Sequence, residues 1–173
     1  MTTPRPTRIE GDVAYVPLTR GYEAVIDAAD AHLVSQWNWS ALVCKRKDGS
    51  ARVYAVRVGR IDGKQRMVLM HRFLAGTPSG YDTDHADGNS LHNFRSNLRP
   101  ATRPQNAQNA RLRSDNTSGV KGVTWAKRER KWKAQISHQG RHLNLGDFDT
   151  IEAAKAVVLQ ARAELHGQFG RAT

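Results

Sequence analysis

A single cysteine, Cys44, stands among 173 residues. One thiol excludes an intramolecular disulfide framework and any zinc site built from several thiolates. Cys44 closes the mostly apolar run Trp39–Cys44, which predicts a buried structural thiol rather than a nucleophile. Negative charge is the second scarcity. Asp and Glu number 16 against 27 Lys and Arg, a formal net charge of +11. That excess repels itself in a compact fold and points to a polyanionic partner. Long apolar runs are also missing. None approaches the roughly 20 residues of a membrane-spanning helix, and Met1–Pro6 has no apolar signal-peptide core. These absences predict work in a cytoplasm-like compartment, away from the membrane.

What is present falls into blocks. Residues 1–70 read as a small antiparallel sheet region. Ala14–Leu18 and Glu23–Ile26 are expected strands, and Asp30 is the expected cap of a short helix through Val34. Trp37 and Trp39 alternate with polar residues as a strand would. Val53–Val58 reads as a strand buried on both faces apart from Arg57, and Met67–Met70 as the next strand. Lys47–Ser50 and Ile61–Lys64 are expected hairpin turns.

Residues 71–112 are rich in Asn, Arg and His and poor in apolar runs, so a metal ion is an expected source of cohesion. Hydrolysis of a phosphodiester needs a base for water, a cation for phosphate charge, and a frame that holds both. His85 suits the first role, because an unperturbed imidazole titrates near pH ~6.5. Asp84 and Asn106 offer hard oxygens, which favour Mg2+ or Mn2+ over zinc. Asn97 is the candidate for holding the His85 ring. Asp84 and His85 are adjacent and leave a regular strand on opposite faces, so they serve one site only if the strand ends or twists there. Asp87-Gly88-Asn89 is a turn signal at the right place. Thr102 is the expected N-cap of a short helix with Pro104 in its first turn. Asn89, Asn93 and Asn109 read as turn-forming side chains, and His71 as a structural histidine. His92 reads as a solvated loop residue, and His32, His138, His142 and His166 as surface or satisfied histidines.

After a polar linker over 113–118, residues 119–173 change pattern. Gly119–Trp125, Lys131–Ser137 and Arg141–Gly146 read as three strands, with a turn at Gln139-Gly140. Thr150 then caps a helix in which Ala153, Ala154, Val157, Val158 and Ala161 recur at helical spacing. Lys121, Lys127, Arg128, Arg130, Lys131, Lys133 and Arg141 crowd these strands, with Trp125 and Trp132 among them expected to pack on DNA sugar or thymine methyls. A twisted three-stranded sheet of this kind can enter a DNA major groove. The fold class is therefore α+β.

Two resemblances sharpen the reading. Met70–Leu74, Asp84–Gly88, Ser96–Arg99 and Asn106 together resemble the HNH homing endonucleases of phage type, in the H-N-N subtype. The resemblance implies a ββα-metal nuclease core over 71–112. Within it His85 is the general base, Asn97 positions that base, and Asp84 with Asn106 holds one divalent ion. Further along, Gly122-Val123, Trp132–Ile136, Leu145–Phe148 and Glu152–Ala156 resemble the DNA-binding domain of the APETALA/ethylene-responsive-factor class. That likeness implies a sheet laid on DNA, with Lys121, Trp132, Gln135 and Arg141 at matching positions, and a helix behind it. Thr124 replaces the usual Arg after Gly-Val, so the family's target sequence does not carry over. The implied protein is a metal-dependent endonuclease on double-stranded DNA, monomeric or weakly dimeric. The alternative is a sequence-specific DNA-binding regulator with a vestigial nuclease module; intact Asp84, His85, Asn97 and Asn106 argue against it.

Overall fold

Strands β1 (Arg8–Glu10), β2 (Val13–Pro17) and β3 (Glu23–Asp27) form an antiparallel meander. In the computed structural model, which describes residues 3–46, 49–110, 112 and 115–170, its alternation buries Ala14, Val16, Ala24 and Ile26 on one face. Lys47 and Asp48 of the expected first turn, and Arg113 and Ser114 of the expected linker, lie outside the described residues. The chain divides into two compact units, Met1–Ala101 and Thr102–Thr173. The Asp-His-Asn block thus contributes residues 71–101 to the first unit and 102–112 to the second.

In the first unit a short helix α1 (Ala31–Val34) follows the meander, then the sheet β4 (Ser40–Lys45), β5 (Ala51–Ile61) and β6 (Lys64–Leu69). The β5–β6 turn is the expected Asp62-Gly63, both at positive φ (52° and 72°), as a two-residue hairpin loop requires. Helix α2 (Met70–Ala75) leads to a two-stranded ribbon of β7 (Asp82–His85) and β8 (Leu98–Ala101). One apolar cluster joins these parts, from Ala14 and Ile26 through Val34, Trp39, Val53 and Met70 to Leu98.

Several expectations are corrected here. Trp37 and Trp39 precede β4 and are not on a strand. Trp39 is fully buried and donates its indole N–H to the Val34 carbonyl at 3.0 Å. Trp37 instead carries the Arg57 guanidinium 3.6 Å above its ring centroid. A tertiary demand for two large aromatics overrides the local alternation. Asp30 makes no cap hydrogen bond; its carboxylate takes two bonds from Arg95, at 2.8 and 2.9 Å. Strand β5 is not buried on both faces, since Val58 is exposed. Met70 opens α2 rather than ending a strand. Cys44 is exposed: it lies in β4 opposite Arg52, past the stretch the core covers.

The second unit opens with helix α3 (Arg103–Asn109). Thr102 caps it through Gln105 in a reciprocal capping box, with Pro104 in the first turn. Then come β9 (Val123–Ala126), β10 (Lys131–His138), β11 (Arg141–Phe148) and helix α4 (Ile151–His166), the sheet ordered β11-β10-β9. Thr150 caps α4 by accepting from the Ala153 N–H. Ala154 and Val158 of α4 pack on Val120, Val123 and Ala134, with Trp132, Leu145, Phe148 and Ile151 around them. Gly119–Gly122 stays outside β9. Gly122 has φ 85°, and a Cβ there would run into the Gln135 carbonyl, so glycine is required. The fold is α+β, with small antiparallel sheets and four α-helices among the described residues.

Candidate active site and nucleic-acid face

Strand β7 ends at His85. The pairing of β7 with β8 sets Asp84 opposite Arg99 and His85 opposite Leu98, and the Ala86 N–H to Asn97 carbonyl bond closes the ribbon. Asp84 and His85 leave the strand on opposite sides, and both are buried.

The carboxamide that meets the catalytic candidate is Asn93, fully buried, whose Oδ1 lies 3.2 Å from His85 Nε2. Asn93 Nδ2 donates to the Leu91 carbonyl at 3.0 Å, which fixes the amide with its oxygen toward the ring. The imidazole therefore carries its proton on Nε2, and a neutral ring has its lone pair on Nδ1. Burial pushes the His85 pKa below its ordinary value, and the bond to Asn93 and the charges of Asp87 and Asp84 offset part of that. The His85 ring is thus neutral at pH 7. Edge-on to it, with ring centroids 5.0 Å apart, sits His71 of α2. Tyr54 of β5 flanks His71 at 5.5 Å. Burial, with the nearby His85 and Arg72, pushes the His71 pKa down to about 3, so His71 is neutral as well.

Asn97 does something other than expected. Its Oδ1 accepts from the Asp87 N–H at 3.0 Å, and its Nδ2 donates to Asp87 Oδ1 and to the His92 carbonyl, at 3.0 and 2.7 Å. Its side chain pins the loop between β7 and β8, and Asn93 holds the ring. Partial burial pushes the Asp87 carboxyl up, but donors from Asn89, His92 and Asn97 outweigh it and leave the pKa lowered. His92 is not a freely solvated loop histidine, because its Nδ1 lies 2.7 Å from Asp87 Oδ2. The loop also docks on its own unit by polar bonds. Asn93 N–H donates to Val25 O at 2.7 Å and Ser90 Oγ to Val53 O at 2.6 Å. The Arg95 N–H and guanidinium reach Asp27 and Asp30. These ties supply the cohesion that few apolar residues left unaccounted for.

Asp84 meets a partner that the sequence reading did not single out. Arg99 brings Nε to 2.9 Å and a terminal nitrogen to 2.8 Å of Asp84 Oδ2. Asn106, the other expected metal donor, lies on α3 in the second unit. As donors for a cation, a buried carboxylate and carboxamides are hard oxygens. Among the described residues no group of three or more His, Cys, Asp or Glu converges. Asp84 by itself is a hard oxygen donor of the kind magnesium takes, one or two carboxylates with water and substrate phosphates filling the shell.

In the second unit the register separates two sheet faces. Trp132, Ala134 and Ile136 share the face packed on α4, and Trp125 pairs directly with Trp132, rings 5.1 Å apart. Trp132 is half-buried against the α4 cluster, whereas Trp125, on the same register face, is 42% exposed. The outward face carries Lys131, Lys133 and Gln135 on β10, Thr124 on β9 and Asn144 on β11. Lys131 also reaches Asp149 at 3.3 Å. Lys127 and Arg128 lie in the β9–β10 turn. Arg141 pairs with His138, on the helix-side register at the far end of the sheet. Lys121 is turned inward: its Nζ donates to the Gln108 carbonyl at 3.2 Å and to that of Ala110. Buried Arg162 of α4 donates to the Lys121 carbonyl at 2.9 Å. No helix among the described residues is long and apolar enough to cross a membrane.

The chain is 39% identical over 94 residues to Protein 3.8 of Escherichia phage T7, covering 54% of this chain and 77% of that protein. It is 33% identical over 106 residues to a mimivirus protein of Acanthamoeba polyphaga mimivirus named Uncharacterized HNH endonuclease L560. That match covers 58% of this chain and about half of the mimivirus protein's length, 54%. No family model matches the chain, and no solved structure matches it.

Proposed function

We propose that this chain, which belongs to the family that includes Protein 3.8 of Escherichia phage T7, is an HNH-type nuclease that hydrolyses phosphodiester bonds of duplex DNA. The name of the mimivirus relative supports the nuclease class. The observation that carries the reading is His85: a buried, neutral imidazole at a strand end, its tautomer set by Asn93. We infer further that it is metal-dependent and of homing type.

In this mechanism His85 Nδ1 takes a proton from water as the water oxygen bonds to phosphorus. The phosphorus bond to the 3′-oxygen breaks, leaving a 3′-hydroxyl and a 5′-phosphate. The resulting imidazolium is stabilised by its Nε2–H bond to Asn93 Oδ1, which strengthens when the donor is charged. Asp84 would be the carboxylate donor for one Mg2+ or Mn2+, and the motif implies Asn106 as the second oxygen donor. When bound, the ion supplies charge neutralisation for the phosphate and the leaving oxygen. Asp87, His92 and Asn97 keep the loop shaped so that Asn93 reaches the ring. The outward face of the C-terminal sheet, led by Lys133 and Gln135 with Lys127, Arg128 and Lys131 beside it, provides affinity for duplex DNA. Trp132 and Lys121 contribute by holding that sheet and its flank in shape, and exposed Trp125 beside Trp132 offers an aromatic face to DNA.

The test is incubation of supercoiled plasmid with the protein in Mg2+ and in EDTA. Nicked or linear product in Mg2+ alone is expected. DNA binding without cutting in either condition would instead favour a regulator with a vestigial nuclease module.

A further inference from the structure

Asp84 and Arg99 are cross-strand partners on β7 and β8, so backbone pairing alone places the guanidinium against the carboxylate. The carboxylate is 5% exposed and the guanidinium side chain 16%. Two nitrogens of Arg99 converge on the single oxygen Oδ2, at 2.9 and 2.8 Å. A buried carboxylate needs compensation at all times. Within the pair the Arg99 charge offsets that of Asp84. A divalent ion added beside Arg99 is repelled by it, and phosphates of bound DNA are groups that relieve that repulsion.

The geometry points to Arg99 as a gate on cation loading: it compensates Asp84 while DNA is absent, weakens cation binding to the DNA-free protein, and turns to a DNA phosphate when the cation takes Asp84. This inference rests on the reading of Asp84 as a metal donor. It makes cation and DNA binding mutually reinforcing, because each ligand removes the charge conflict that opposes the other. Asp84 stays charge-paired before the substrate arrives, and metal-dependent chemistry is confined to the DNA complex.

The experiment measures Mn2+ binding to DNA-free protein by electron paramagnetic resonance, for wild type, Arg99→Gln, Arg99→Lys and Arg99→Gln combined with Asp84→Asn. Removing the guanidinium charge beside a divalent ion should tighten binding by about tenfold or more at a partly buried site. Arg99→Gln is therefore expected to bind Mn2+ at least about tenfold tighter, and Arg99→Lys, which keeps the charge, close to wild type. Arg99→Gln binding no tighter than wild type overturns the gate, as does an equal gain in Arg99→Lys. Adding Asp84→Asn to Arg99→Gln is expected to abolish the tightened binding. If the double variant binds Mn2+ as tightly as Arg99→Gln alone, the metal-donor reading itself fails, which separates the two failures. A readout without substitution is the Arg99 Nε–H resonance of wild-type protein. Saturating Mg2+ should shift it, and an unmoved resonance overturns the gate even if Arg99→Gln does not fold.

Discussion

Asn93→Ala removes the side chain that, among the described residues, holds the His85 ring and sets its tautomer. Asn93 is fully buried and makes three hydrogen bonds through its side chain and backbone: to His85, to Leu91 and to Val25. The substitution keeps the backbone bond and loses two side-chain bonds. The Leu91 carbonyl keeps the Val25 N–H as donor at 2.8 Å, so the main cost is the lost bond to the His85 ring, about 1–3 kcal/mol of stability. A positioned general base contributes about 10²–10⁴-fold to rate. A ring that can rotate or present the wrong nitrogen should forfeit a large part of that, so kcat is expected to fall by roughly 30- to 1000-fold while KM for DNA stays near wild type. Asn93→Asp gives the opposite electrostatic result. A carboxylate facing Nε2 favours imidazolium, raises the His85 pKa, and moves the acid limb of the pH–rate profile to higher pH. The assay is single-turnover plasmid cleavage across pH 5–9 (about this range brackets the imidazole pKa), with folding checked by denaturant melts. A folded Asn93→Ala enzyme with unchanged kcat, or an Asn93→Asp profile shifted to lower pH, refutes the assignment.

Other outcomes follow from the same geometry. The wild-type acid limb of kcat/KM should lie below the ordinary imidazole value of ~6.5, because burial lowers the His85 pKa; a limb at or above that value contradicts the neutral-base reading. His71 binds its proton in the unfolded chain near pH ~6.5 but in the folded protein only near about 3. The unfolded state therefore binds more protons between those values, and folding stability should fall as pH drops through that window, by about 1.4 kcal/mol per unit. His71→Phe should flatten that slope in urea melts, and a slope unchanged by the substitution rules His71 out as its source. Lys133→Ala should lower the log–log salt slope of DNA binding by about one, whereas Trp132→Ala should chiefly destabilise the second unit, by about 3–5 kcal/mol. Equal salt slopes for wild type and Lys133→Ala remove the outward face from the interface.

Local pattern carried much of the fold. Strands β2, β3, β10 and β11 and the capped helices α3 and α4 stand where alternation, helical spacing and Thr caps put them. Pattern failed where long-range contact decides. Trp37 and Trp39 alternate like strand residues, yet one fills the core and the other carries Arg57. Asp30 sits like a cap, but Arg95, 65 positions away in sequence, takes its carboxylate. In the Asn-rich block every asparagine offers the same turn-forming chemistry. Only the docking of Asn93 on Val25 of β3 brings it to His85, and no spacing rule distinguishes it from Asn89 or Asn97. The Asp84–Arg99 pair was hidden for a related reason. Register in β7–β8 is set by how the long loop closes at Ala86 and Asn97, and loop length alone does not fix a register. The outward and helix-side faces of β10 were accessible in principle. Ala134 and Ile136 mark the buried parity, and Trp132 shares it.

The most direct test of the central claim is single-turnover cleavage by His85→Ala beside wild type, at protein concentrations that saturate plasmid binding for both. The account predicts at least about a hundredfold loss of the cleavage rate, with DNA affinity and Mg2+ dependence of binding unchanged. Cleavage at the wild-type rate by folded His85→Ala protein would contradict it.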